Sequence, residues 1–529
     1  MSIEQHSSTN FDSSASLLLG IPVDNVDIDE AVRLIDQMVN TYKQDKRARY
    51  VATVNVDFLV KAISILPNRA RDHEMLNILR KSDLVTADGA PLVLLSKLTG
   101  QPLKQRVAGA DLVPAIAEKA AAAGHRIFLL GADESTAAQA AYALRSKYPK
   151  LKIVGTASPL VHITGNEMIH AAERDRTIVA QINTTRPDIL LLAFGNPKQE
   201  IWFERNRFKL HVPVSIGIGG TLSFIAGTIK RAPRWMQASG LEWIYRVIQE
   251  PGRLWKRYAE GLFKFSLMAL PALLLTLVTI GKRPVGQGAT RYQKLTTDQS
   301  DTVYHLRLPR CVEVSTVSDL ISFCKQQASR NMIFDFADVE RIEASALAPL
   351  TRLLSFLLEH GAQKYLCGIS WQLKQSLSMV RALTGWDTSC SSESFSEILH
   401  GRFRAAPGTC IWRAERGGAQ LQDIYPQGDL VNTSLADDPF GFRVPTSQFR
   451  PLSIHFDGVG KVDNAALLYL LDGIRRHGAR NISITDPQKK LLSPRSVELA
   501  AAEAPTRQSP PARTLTMEPV VHPRLAGAG

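Results

Sequence analysis

The 529 residues include only five cysteines, all beyond residue 300, and none forms a Cys-x-x-Cys pair. That spacing offers neither a metal site nor a disulfide framework, so reduced thiols in a cytosolic compartment are expected. No Walker A run and no GxGxxG is present, which removes the main support for ATP hydrolysis or dinucleotide binding. The amino terminus, MSIEQHSSTNFDSSAS, lacks the basic-then-apolar order of a signal peptide, so export is not expected. No nucleic-acid reader motif occurs either, and nucleic acid ranks last among candidate partners.

What is there describes a globular chain of two to four domains, 45% apolar and 21% charged. Much of the formal net charge of +13 sits in one segment. Between Lys230 and Arg257, Lys230, Arg231, Arg234, Arg246, Arg253, Lys256 and Arg257 face only Glu242 and Glu250. Such a patch suits phosphorylated ligands or an acidic membrane face.

Residues 1–18 are serine-rich and read as disordered. From 19 to about 228, short apolar runs alternate with helical patterns, the rhythm of a doubly wound, mostly parallel α/β sheet. Strands are predicted over 49–56, 83–87, 126–131, 152–157, 188–195 and 212–219, with helices over 111–124 and 135–148. The basic appendage extends this domain to residue 260. Residues 261–283 hold FSLMALPALLLTLVTIG, apolar on every face, flanked by Lys264, Lys282 and Arg283 and interrupted by Pro271. This segment reads as a membrane contact in which Pro271 breaks the helix, the alternative being a buried core helix. A linker (284–300), a second α/β domain (301–400) and a third region (401–491) follow, then an Ala/Pro/Arg-rich tail (492–529) read as disordered. FADVERIEASALAPL (336–350) and FDGVGKVDNAALLYL (456–470) share apolar spacing, so 401–491 reads as a diverged duplicate of 301–400.

Polar residues collect where strands of the first domain end, the edge at which open α/β sheets bind ligands. They are Thr53 and Asn55; Asp88 and Gly89; Arg106, Gly109 and Asp111; Gly131; Asn196, Lys198, Gln199 and Glu200; and Gly217, Gly219 and Gly220. Taken singly, each has an ordinary explanation: an Asp-Gly turn, a helix cap at Asp111, tight glycine turns. Their shared edge argues for a site.

These motifs, with RAP (231–233) and GLEWIYRVIQEPGRLWKRY (240–258), resemble the WecG/TagA/CpsF glycosyltransferase family over residues 20 to 260. The resemblance implies an inverting, metal-independent and cofactor-free transferase. It would move a sugar, of the N-acetylmannosamine type or a related hexose or uronic acid, from a UDP-sugar to a polyprenyl-diphosphate-linked saccharide. The product would feed cell-surface polysaccharide or exopolysaccharide synthesis, and the enzyme would work at the cytoplasmic face of the inner membrane. Asp88 matches the general base, with Thr53 and Asn55 beside it. The glycines, Arg106, Asp111, Asn196, Lys198, Gln199 and Glu200 would bind the donor, and Arg246, Arg253 and Arg257 the acceptor diphosphate. Where relatives often read Phe-Asp, this chain has Leu222-Ser223, which bears on sugar or acceptor identity.

MIFDFADVERIEASALAPLTRLLSFLLEHGA (332–362) resembles a STAS domain, a protein-interaction fold. Ser345 falls on the serine that regulatory members phosphorylate, with Glu343 for the usual Asp and Ala346 for the usual Gly. A helix cap is the plain alternative for Ser345. A protein partner of this region is therefore expected. A scaffold that keeps the transferase fold and acts through the STAS region is the competing functional reading.

Overall fold

The computed structural model describes residues 14–279 apart from 68, 164–170 and 239–240, then 289–296 and 302–383 apart from 328–330 and 359–363. Beyond these it describes strand residues 410–417, 420–430, 452–455, 458–462 and 482–485. Residues 1–13 of the expected disordered start, 284–288 and 297–300 of the expected linker, and the tail lie outside the described residues, whereas Arg291–Thr296 of that linker form a strand. Ala15–Leu18, read as part of that start, instead form strand β1, paired antiparallel with β2 (Ile21–Asp24).

Chain order through the first domain is α1 (Ile28–Asp45), β3 (Arg49–Val54), α2 (Val56–Ala62), α3 (His73–Lys81), β4 (Leu84–Ala87) and α4 (Ala90–Leu98). Next come α5 (Gly109–Ala123), β5 (Arg126–Gly131), α6 (Glu134–Lys147), β6 (Lys152–Ala157), α7 (Ala171–Thr185), β7 (Ile189–Ala193), α8 (Lys198–Asn206) and β8 (Val214–Gly217). The appendage holds α9 (Thr221–Ile225), α10 (Arg234–Ala238), α11 (Glu242–Gln249) and α12 (Pro251–Thr279). All six predicted strands join one parallel sheet, in the order β4-β3-β8-β7-β5-β6. Helices cover both faces of such a sheet, and its central strands are accordingly buried end to end, as RYVATV of β3 and ILLL of β7 show. Local signals fix the helices. Asp27 and Glu30 form a capping box on α1, Asp133 caps α6, and Gly124 ends α5 at φ +77°.

α12 runs 29 residues straight through Pro271, so the expected break is not there. Two of its faces differ. Phe265, Met268, Ala269 and Ala272, at helical spacing, are buried. Phe263, Leu267, Leu270 and Leu274 are exposed. Residues 254–276 are long and apolar enough to cross a membrane.

The second α/β region comprises β9 (Arg291–Thr296), β10 (Thr302–Arg307), β11 (Cys311–Val312), α13 (Val314–Gln326), β12 (Asn331–Asp335), β13 (Arg341–Ile342), α14 (Ala344–Leu358), β14 (Lys364–Cys367) and α15 (Trp371–Met379). Its sheet order is β14-β12-β10-β9. It packs against the first domain, and the two belong to one compact unit. Leu17 of β1 is buried in the same apolar cluster as Leu306, Phe334 and Leu353. Arg352 on α14 makes a bidentate bond to Asp24 at 2.9 and 2.7 Å, with both side chains buried. Arg381 donates to the carbonyls of Leu66 and Ile65, each at 2.9 Å. Gly20 lies at φ +84°, where an added Cβ would stand 2.5 Å from the Arg381 carbonyl; only glycine admits that approach.

The remaining strands are β15 (Cys410–Gly417), β16 (Gln420–Leu430), β17 (Leu452–His455), β18 (Gly458–Val462) and β19 (Ile482–Thr485), in a second compact unit. Their order is β15-β16-β17-β19, with the first pair antiparallel and the next two parallel. The β9-β10-β12-β14 sheet has the same sequence of senses. They differ at β18, which pairs with β16, whereas β13 pairs with β11.

Candidate active site

β3 and β8, the first and the last strands of this sheet in chain order, lie side by side. Ligands of open α/β sheets sit at the carboxyl ends of the strands. Thr53, Asn55, Asp88 and the glycines after β8 end the strands there.

Asp88 follows β4, and its backbone N–H donates to the Val54 carbonyl at 2.7 Å, which ties it to the end of β3. Burial pushes its carboxyl up to about 7. Arg106 and Arg246 pull it down, and the Glu242 and Asp111 carboxylates push it up. A carboxylate poised near neutrality can take and hold a proton at working pH.

Around Asp88 stands a closed ring of charges. Arg106 reaches Asp111 at 3.1 Å and Glu242 at 2.9 Å. Arg231 reaches Asp111 at 2.6 Å and Glu242 at 3.4 Å. Asp111 is the third residue of α5, whose N-cap is Ala108, so it joins this ring and does not cap the helix. The ring fastens α11 to the sheet domain and brings Arg246 into the field of Asp88. Arg246 also lies over the Phe224 ring, 5.1 Å from its centroid. Arg257 pairs at 2.8 Å with Asp57, two residues beyond Asn55. Two of the three predicted acceptor arginines thus lie by this edge. The side chain of Arg253 is outside the described set.

The predicted donor residues divide. Gly219 and Gly220 border open space, with nothing within 4 Å of an added Cβ. Gly89 opens α4 as its N-cap, and Lys198 is exposed. Asn196 takes the Lys61 ammonium on its carbonyl, at 3.0 Å, and on its side-chain oxygen. Asn55 caps α2 by accepting from the Asp57 N–H at 3.0 Å. Thr53 donates to the Gly217 carbonyl at 2.7 Å, pinning β3 to β8. Gly109 and Gly131 are packing glycines. An added Cβ would stand 2.8 Å from Thr221 Oγ1 at the first and 2.8 Å from the Ala193 carbonyl carbon at the second.

Gln199 and Glu200 do not face open space. Both are buried. Gln199 Nε2 donates to Glu200 Oε1 at 2.8 Å, and its Oε1 accepts from the Gly219 N–H at 3.1 Å. Tyr50 donates to the same Glu200 oxygen at 2.9 Å. An added Cβ at Gly217 would meet Tyr50 Oη at 2.2 Å and Gln199 Nε2 at 2.6 Å. This trio sets the shape of the glycine turn from behind. Burial pushes Glu200 up to about 7, against the hydrogen bonds from Gln199 and Tyr50. Burial, and then the Glu200 charge, raises Tyr50 well above its ordinary range, so it stays a donor.

Sequence reasoning passed over Lys61 and Tyr50 and counted Arg231 and Glu242 only as charges. Lys61 had a faint signal, four residues after Asp57, to which it also pairs at 2.9 Å. Tyr50 had none, because its partner lies 150 residues away. Leu222 of the departing Leu222-Ser223 pair is fully buried in the core, so its effect on the pocket is indirect. Ser345 is exposed, the second residue of α14, and donates to Glu343 at 3.4 Å.

Residues 16–277 match the Glycosyl transferase WecG/TagA/CpsF family, and residues 295–384 match the STAS domain. A relative from Bacillus subtilis (strain 168) is 32% identical over 245 residues, covering 46% of this chain and 84% of its own. The chain belongs to the WecG/TagA/CpsF glycosyltransferase family. The Bacillus subtilis relative is named N-acetylglucosaminyldiphosphoundecaprenol N-acetyl-beta-D-mannosaminyltransferase. A relative from Staphylococcus aureus (strain MW2) carries the same name and is 29% identical over 268 residues, 50% of this chain and 96% of that one. The family match runs to residue 277, so α12 is part of the glycosyltransferase region.

Proposed function

We propose that the protein transfers an N-acetylmannosamine-type sugar, with inversion, from a UDP-sugar to a polyprenyl-diphosphate-linked saccharide. The observation that carries this is Asp88, a carboxyl raised to about 7 at the carboxyl edge of the sheet and faced by Arg106 and Arg246. In this reading, an acceptor hydroxyl gives its proton to Asp88 as its oxygen forms the new bond to the anomeric carbon. The bond from that carbon to the donor phosphate breaks, and UDP leaves with the electron pair. The backbone N–H of Gly220 and the appendage arginines would stabilise the charge gathering on the phosphates. The relatives' names supply the acceptor and sugar class.

The same reading places the enzyme on the cytoplasmic face of the membrane, with α12 lying along the surface. Residues beyond α12 bond to residues before it, through Arg352 with Asp24 and Arg381 with Leu66. A helix crossing the bilayer would hold those partners apart. The exposed Phe263, Leu267, Leu270 and Leu274, with Trp255 and the exposed Lys256 and Arg257, suit an interfacial helix. The STAS region would receive a protein partner, with Ser345 on its exposed side, and 401–491 would be its diverged duplicate. Screening UDP-sugars for transfer onto a polyprenyl-diphosphate-linked saccharide tests the reading. Turnover with UDP-N-acetylmannosamine supports it, and no transfer from any UDP-sugar to that acceptor overturns it.

A further inference from the structure

Beside Asp88 the surface opens into a groove of about 900 Å³ between α4 and α12. It starts at Ala90 and Pro91, the first residues after Asp88-Gly89, and follows α4 outward. At 1.5 Å per residue, the nine residues of α4 carry it about 13 Å from the candidate base. Leu94 and Leu98, 58% and 54% exposed, form one wall. Phe265, Ala269, Leu270 and Leu273 of α12 form the other. Large aliphatic side chains this exposed, on two facing helices, mark a surface that an apolar partner covers. The charged residues of the lining, Lys97, Lys104 and Arg106, are all cationic, with Lys104 also paired to Glu30 and Arg106 to Asp111 and Glu242. An apolar trough whose own lining charges are cations fits an amphiphile that has a long hydrocarbon chain and an anionic head.

We infer that this groove holds the isoprenoid chain of the acceptor, with the diphosphate toward Arg106 and the saccharide hydroxyl delivered to Asp88. The inference rests on the acceptor class given under Proposed function and adds the place where its lipid is read. The exposed apolar face of α12 continues from the groove rim, so a chain could enter from the membrane without crossing water. Because Leu270 lies both in the groove and on that exposed face, one helix would serve as surface anchor and lipid wall.

The test uses the full chain in detergent, with acceptors that share one saccharide diphosphate and differ only in isoprenoid length. Wild type should show kcat/KM rising with chain length, and Leu94→Glu with Leu98→Glu should cut the long-to-short ratio by about tenfold or more. Tyr142→Glu, an exposed residue on α6, should leave that ratio alone. A wild-type enzyme active on every acceptor but indifferent to length, or a double variant with an unchanged ratio, overturns the groove assignment. A photoreactive isoprenoid diphosphate gives a readout independent of turnover. Labelling within residues 90–106 and 262–273 supports the assignment even if the donor is misidentified, and labelling confined elsewhere overturns it even if transfer is confirmed.

Discussion

Asp88 and Glu200 stand at the same edge of the same sheet, and burial raises both carboxyls to about 7. Their surroundings part them. Asp88 keeps some exposure and lies in a field of two arginines and two carboxylates. Glu200 is sealed in and spends one oxygen on Tyr50 and Gln199, while its Oε2 has no partner from another residue. A raised carboxyl is therefore a candidate for chemistry only where substrate can reach it; where it is sealed in, it reflects the burial of a group that holds a turn in place. Asp24 is a third case, buried but matched by Arg352 on two bonds and by the Val85 N–H at 2.8 Å.

The comparison breaks most readily at Asp88. Asp88→Asn keeps the shape and removes the base, so turnover should fall by about 10²–10⁴ while UDP-sugar binding by calorimetry persists. In the wild type, kcat/KM should drop below about pH 7, as protonation removes the base. Near-normal turnover in Asp88→Asn would assign the proton transfer to another group.

Removing the partner of the matched carboxylate comes next. Arg352→Ala should cost about 3–5 kcal/mol in chemical unfolding, because Asp24 is left charged in the core. Replacing both residues by leucine should recover most of that loss. A neutral Arg352→Ala would mean the two regions are not held together through this pair.

Glu200→Gln should leave turnover and the midpoint of the pH–rate profile within a few-fold of wild type, and should act on stability. Its carboxyl goes from an ordinary 4.5 unfolded to about 7 folded. Between those values the folded state keeps a proton that the unfolded state has released, so stability declines as pH rises through that window. The full decline is roughly 3 kcal/mol, and Glu200→Gln should flatten that part of the curve. If Glu200→Gln instead moved the pH–rate midpoint, the roles of the two carboxyls would be reversed.

The smallest effect expected is that of chelation. EDTA, followed by magnesium or manganese add-back, should leave transfer unchanged if arginines and backbone N–H groups around Asp88 stabilise the leaving diphosphate. Reversible loss would require a cation beside them.

The sequence by itself determined the six parallel strands, because a strand buried on both faces needs a run of apolar residues and little else satisfies that pattern. It also marked the edge of the candidate site, since Asp88, Asn55 and Gly219 each follow such a run directly. Helix starts were legible for the same local reason, as at Asp133. What only tertiary structure decided were the pairings between distant residues. No local pattern couples Tyr50 to Glu200, Arg231 to Asp111, or Arg352 to Asp24, so nothing in the chain's order could say that Gln199 and Glu200 turn inward or that the STAS region shares a core with β1. Pro271 makes the same point within one helix. A proline's local tendency is to break a helix, but α12 has Phe265, Met268, Ala269 and Ala272 buried at helical spacing on either side of it, and that packing outweighs one lost backbone hydrogen bond.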